Sequence, residues 1–142
     1  MISKRLIKRV YQKIDELNKL RPIPLDILEK FQERYNSIYV YNSNALEGNT
    51  LKLNETILIL ERGITVKGKS LNEHLEVINH KKALEYFRKI VTEKAIISEE
   101  MILNIHSILM KDVLPDGEVG NYRTRSAIII GALVQPPVAQ DV

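Results

Sequence analysis

The sequence predicts a mainly α-helical protein with a small β-hairpin near its C-terminus, and three observations carry that expectation. Apolar residues recur at intervals of three and four through most of the chain, the period of a buried helix face. Capping serines and helix-ending glycines punctuate those stretches, and "SLNE" at 70–73 has the form of a capping box. One stretch breaks the helical pattern, the β-branched run at 128–130 with Gly131 behind it.

Leu6, Val10, Ile14 and Leu17, widened by Ile7 and Leu20, place a first helix over 3–20. It stops at "RPIP", because Pro22 and Pro24 cannot continue an α-helix, and Pro24 suits the first turn of a second helix running to Leu46. Leu25, Leu28, Phe31, Tyr35 and Ile38 form the apolar face of that helix, and Tyr35, Tyr39 and Tyr41 add a packing surface with hydroxyl handles. Gly48 is suited to the left-handed conformation that ends a helix. A short third helix is expected from an Asn54 N-cap to Gly63, followed by the connector "ITVKGK". Ser70 and Glu73 open the longest helix, which runs to about Val91 with Leu75, Ile78, Leu84, Phe87 and Ile90 inward. Ser98 caps a fifth over 99–111, where Met101, Ile102, Ile105, Ile108 and Leu109 predict heavy burial. Pro115, Gly117 and Gly120 then mark an irregular loop. The hairpin is expected at Ile128, Ile129, Ile130, Gly131, Ala132, Leu133 and Val134, with its turn near Gly131, and the closing "PPVAQDV" is loop-like.

A chain of 142 residues with 44% hydrophobic content can bury a core of its own. It divides by pattern into an N-terminal helical region, 1–48, and a second region, 49–142. No apolar run approaches the eighteen or so residues of a membrane span. "MISKRLIKRV" lacks the apolar centre of a signal peptide, so a cytoplasmic protein without membrane contact is the default. The absence of cysteine excludes disulfides, thiolate metal sites and cysteine nucleophiles. His74, His80 and His106 are too scattered to suggest a metal site. Of the formal charge of +3, residues 1–21 contribute seven basic side chains against Asp15 and Glu16, net +5, which leaves −2 for the rest. That basic segment reads as the wet face of an amphipathic helix, and nucleic acid is not an expected partner because no recognition helix or aromatic-basic interleaving accompanies it.

The common catalytic motifs are missing: no G-x-G-x-x-G, no P-loop, no H-E-x-x-H and no nucleophile elbow. His80 and His106 lie within helical patterns and read as packed or surface histidines, while Glu99 and Glu100 suit the first turn of a helix. Glu47 is the exception. In "SNALEGN" it is the only charged side chain between Arg34 and Lys52, and it sits at a helix C-terminus, where the dipole disfavours a carboxylate by roughly 0.3 to 1 kcal/mol. Its neighbours one turn back, Ser43 and Asn44, are not cations. From these residues alone, a solvated surface glutamate remains the simpler reading.

Several segments in order resemble the Fic (Fic/Doc) family of protein adenylyltransferases. Ser43, Glu47 and Gly48 match its inhibitory motif, (S/T)-x-x-x-E-(G/N), which continues as "NTLKLNET". "LNEHLEVINHKKALEYF" is similar to the helix that follows in that family, and "ILNIHSILM" with "GEVGNYRTRSAIIIGALVQPP" is similar to the next helix, a G-x-Y-R segment and a β-hairpin called the flap. The resemblance covers about two thirds of the chain. It implies a Fic-like helical fold whose complete members transfer AMP from ATP, with Mg²⁺, to a Ser, Thr or Tyr hydroxyl of a target protein. It further implies that Glu47 gates ATP by pairing with the last arginine of the catalytic signature H-x-F-x-(D/E)-G-N-G-R, that the flap at 128–134 binds the target by strand addition, and that the protein pairs as a homodimer.

No histidine in this chain is followed by that signature. The chain is therefore expected to be the N-terminal portion of a longer enzyme, inactive alone and without a catalytic or metal-binding residue of its own. The rival expectation is a non-catalytic, antitoxin-like module that inhibits a separate Fic protein in trans.

Overall fold

The computed structural model describes residues 3–139, and within them the chain forms five α-helices: α1 (Lys4–Lys19), α2 (Leu25–Leu46), α3 (Leu53–Arg62), α4 (Leu71–Thr92) and α5 (Glu99–Met110). The last three residues of the expected C-terminal loop, 140–142, lie outside the described residues. Two compact units divide the chain, Met1–Tyr35 and Asn36–Val142, with the boundary inside α2.

In the first unit, the Ser3 hydroxyl caps α1 by accepting the Leu6 N–H at 3.3 Å. Lys13 and Glu16 pair at 2.6 Å on an exposed face, an arrangement that contributes little to stability. The Pro24 carbonyl accepts the Ile27 and Leu28 N–H groups and so begins α2. No residue of α1 is buried, and Leu25, Leu28, Phe31 and Tyr35 of the expected apolar face are likewise exposed.

The second unit holds the core. Val40 of α2, Leu51, Ile59 of α3 and Val77 of α4 form one buried cluster, with Leu60, Val66 and Ile78 packed against it. Burial of a single such side chain is worth roughly 1.5–3 kcal/mol. The buried stripe of α2 is Asn36, Ser37, Val40 and Asn44, a helix face of mostly polar residues rather than the apolar face that periodicity suggests. Burial is tolerated because the polar groups find partners. Asn36 accepts a hydrogen bond from Arg88, and the Asn44 amide donates to the Val40 carbonyl at 2.8 Å.

Further differences from the expected elements have identifiable causes. α3 begins two residues early, at Leu53, with Lys52 rather than Asn54 at the N-cap. A lysine ammonium has no acceptor, so only the reverse half of a capping box forms, the Glu55 carboxylate taking the Lys52 N–H at 2.7 Å. α5 contains no buried residue, and Ile102 is half exposed. Its C-terminus is instead held by a polar contact, the buried Asn79 amide of α4 donating to the Leu109 and Lys111 carbonyls at 3.2 and 2.7 Å.

The expected hairpin at 128–134 is absent, and no strand occurs among the described residues. A turn joins the Ala132 N–H to the Ile129 carbonyl at 3.2 Å. The Gln135 side chain then occupies the places a strand partner would take: its Oε1 accepts the Ile129 N–H at 2.9 Å, and its Nε2 donates to the Ile129 and Ala132 carbonyls. Ile128, Ile130, Leu133 and Val134 stay largely exposed, so no apolar face presses the segment into a sheet, and an isolated two-stranded hairpin is marginal in water.

Candidate functional site

The end of α2 is built by its glycine. Gly48 has φ +96°, and the Gly48 and Asn49 N–H groups bond to the Ala45 and Asn44 carbonyls at 3.2 and 3.0 Å. This pair of bonds is a Schellman motif with Glu47 at the C-cap and Gly48 at C′. Glu47 is thereby placed on the last corner of the helix with its side chain exposed, and among the described residues its carboxylate makes no hydrogen bond or ion pair.

Beside it lies a groove of about 380 Å³ lined by Ser43, Asn44, Glu47, Glu76, His80, Leu109, Met110 and Val113. The structure thus brings Ser43 and Glu47 of the sequence motif together with Glu76 and His80, which sequence reasoning did not place there. Their α4 positions are 29 or more residues downstream of Glu47, and no local pattern joins them. Asn44 makes the link: its amide nitrogen, oriented by the Val40 carbonyl, also approaches His80 Nδ1 at 3.2 Å. The ring nitrogen facing an N–H donor must accept, so the His80 proton resides on Nε2. Tyr39 stands edge-on to the same ring at 5.9 Å, and burial pushes the His80 pKa below its ordinary 6.5. The Ser43 hydroxyl makes no hydrogen bond among the described residues, so the tether of the helix end is Asn44 and the loop behind Gly48.

That loop is bound to the start of α4. The Asn49 amide donates to the Glu73 carbonyl at 3.0 Å and to Glu76 Oε2 at 2.7 Å, while its Oδ1 accepts the Leu51 N–H. Glu73 Oε1 accepts from the Thr50 N–H and hydroxyl, and Oε2 accepts from the Ser70 N–H and hydroxyl. Hydrogen bonds from the Thr50 hydroxyl, first, and from the Ser70 and Thr50 backbone lower the Glu73 pKa from 4.5 to about 2.

His74, His106 and Arg123 are committed elsewhere. His74 Nε2 accepts the Val66 N–H at 2.9 Å and its Nδ1 donates to the Ser70 carbonyl. His106 Nδ1 accepts the Gly120 N–H at 3.0 Å, and Gly120 itself, at φ +69°, lies so close to α5 that a Cβ would meet the Ser107 Cβ at 3.0 Å. The Arg123 guanidinium donates to the Pro137 carbonyl at 2.5 Å. The seven positions 128–134 lie in the exposed turn described above and are not brought to the Glu47 groove.

Tested against ATP and Mg²⁺, the residues present do not fit. Two carboxylates and no lysine or arginine line the groove, which disfavours a polyphosphate. Among the described residues no group of three or more His, Cys, Asp or Glu side chains could hold a metal ion.

No family model matches the chain. Among curated relatives, the protein adenylyltransferase Fic of Nematostella vectensis is 34% identical over 143 residues, covering 97% of this chain and 33% of the relative. The protein adenylyltransferase fic-1 of Caenorhabditis elegans is 33% identical over 130 residues, covering 90% of this chain and 25% of the relative. Among solved structures, a Fic domain-containing signaling protein from Bacteroides thetaiotaomicron superposes with a TM-score of 0.73 at 28% identity, covering 88% of this chain and 46% of its own. The chain belongs to the Fic family. Fic-1 from C. elegans likewise superposes with a TM-score of 0.67 at 33% identity, over 85% of this chain and 38% of that one. The chain spans a third or less of the length of these two curated Fic relatives. No helix among the described residues is long and apolar enough to cross a membrane.

Proposed function

We propose that this chain supplies the regulatory N-terminal part of a Fic-type protein adenylyltransferase, which moves AMP from ATP to a Ser, Thr or Tyr hydroxyl of a target protein. The observation that carries the reading is the placement of Glu47: the motif Ser43, Glu47, Gly48 ends a Schellman-capped helix with the carboxylate exposed and uncommitted beside a groove. Glu47 then receives the arginine of the catalytic signature, and Glu76 in the same lining adds a second negative charge. A charge-assisted pair of this kind is short and directional. Holding that arginine withdraws it from its productive position, and small misplacements of such groups cost orders of magnitude in rate.

In this reading ATP and Mg²⁺ would be held by residues of the catalytic signature rather than by the lining of the Glu47 groove. The chain alone is accordingly inactive. Residues 128–134 act as the flap, and a target strand takes the Ile129 N–H and C=O that the Gln135 carboxamide now holds. A cytoplasmic location and pairing as a homodimer go with this reading.

The test is Glu47→Gly in the complete polypeptide incubated with MgATP. Auto-modification is expected to rise by roughly 10²-fold or more, and an unchanged rate would sink the inhibitory assignment.

A further inference from the structure

The capping box of α4 does more than cap α4. In an ordinary capping box the glutamate at N3 reaches back to its own N-cap residue and nothing else. Here only Glu73 Oε2 does so, bonding the Ser70 N–H at 2.9 Å and hydroxyl at 3.0 Å. Oε1 is turned to the loop behind Glu47, where it takes the Thr50 N–H at 3.0 Å and the Thr50 hydroxyl at 2.5 Å. The Thr50 hydroxyl accepts in turn from the Lys69 ammonium at 2.7 Å, and the same ammonium donates to the Thr50 carbonyl at 2.6 Å. One residue earlier, Asn49 bridges the Glu73 carbonyl and the Glu76 carboxylate, and its own N–H closes the Schellman motif on Asn44. Every polar group of Thr50 is thus engaged by 69–73, although Thr50 itself is exposed.

The register of these bonds is what matters for Glu47. Gly48 alone separates it from Asn49, and an unrestrained glycine lets the preceding helix corner fray. The geometry points to Thr50 and Asn49 as positioning residues: by clamping the loop to the α4 cap through Glu73, Lys69 and Glu76, they hold Glu47 at its corner and so set the strength of the inhibition. This inference rests on the assignment of Glu47 as the inhibitory carboxylate. A hydroxyl that only filled local hydrogen bonds would affect stability when lost, whereas a positioning hydroxyl raises activity when lost.

Two variants separate these roles. Thr50→Val keeps the shape and the N–H bond to Glu73 but removes the hydroxyl contacts with Glu73 and Lys69. Asn49→Asp sets a carboxylate against Glu76 and the Glu73 carbonyl. In this chain, both are expected to speed amide exchange at Glu47, Gly48 and Asn49 by about tenfold, the weight of one charge-assisted hydrogen bond, with exchange at the core of α4 unchanged. In the complete polypeptide with MgATP, both raise auto-modification by about tenfold and produce no further rise on a Glu47→Gly background. Unchanged exchange in both variants overturns the inference. So does a rise with Glu47→Gly that neither variant shares, which leaves the inhibitory reading of Glu47 standing. If Glu47→Gly itself has no effect, the inhibitory reading fails first and the clamp has nothing to position.

Discussion

The loop behind Glu47 and the turn at 128–134 are both short segments outside the helices, yet they are held by different means. The first is bound by side chains from another helix: Glu73 and Glu76 of α4, with Lys69 just before it, fasten Asn49 and Thr50. The second is bound by Gln135, three and six residues from the positions it holds. A loop tied to the core inherits the stability of the core, whereas a loop tied to itself can open without unfolding anything else. That contrast suits a proposed inhibitory carboxylate that must stay in place and a proposed flap that must exchange its own hydrogen bonds for those of a target.

The comparison breaks most visibly if the core under the first loop is damaged. Val77 is fully buried in the cluster that α4 shares with Val40, Leu51 and Ile59. Val77→Ala should lower the unfolding free energy of the second unit by about 2 kcal/mol, measured by urea denaturation, and should speed amide exchange behind Glu47 while leaving the 128–134 turn unaffected. Equal acceleration in both loops would remove the distinction.

A smaller effect comes from acid. The Glu73 carboxyl ionises at about 2 in the folded chain against an ordinary 4.5, so its stabilising contribution is complete above pH 4.5 and is lost as the pH falls toward 2. Glu73→Gln should flatten that part of the stability-against-pH curve relative to the parent chain. The same acid limb in both proteins would mean that the clamp does not depend on the charge of Glu73.

The smallest effect sharpens the other side. Gln135→Ala should change global stability by less than about 0.5 kcal/mol, as for an exposed substitution, yet speed exchange of the Ile129 amide several-fold by removing its acceptor. A global loss instead would show that the turn is coupled to the core.

The five helices were legible because their signals are local. Ser3, Ser70 and Ser98 hydrogen-bond within one turn of themselves, and Gly48 and Gly63 end helices with positive φ wherever the rest of the chain lies. Glu47 at the corner of α2 follows from the same local rules. What periodicity misjudged was the direction of faces. It turned Leu28, Phe31 and Tyr35 inward, whereas the stripe buried in α2 is Asn36, Ser37, Val40 and Asn44, stabilised by partners such as Arg88 that are distant in sequence. The hairpin was misjudged for a related reason: β-branched residues favour a strand only where a sheet partner and an apolar face await them, and here a glutamine side chain takes the partner's place. The sequence by itself determined the helices, their caps and the motif that ends α2. Only the tertiary structure decided that His80 meets Asn44, that Glu76 lines the groove of Glu47, and that the α4 cap holds the loop beside it. Hydrogen bonds between residues i and i+4 are written into local spacing, whereas those across more than twenty residues exist only once the helices have packed.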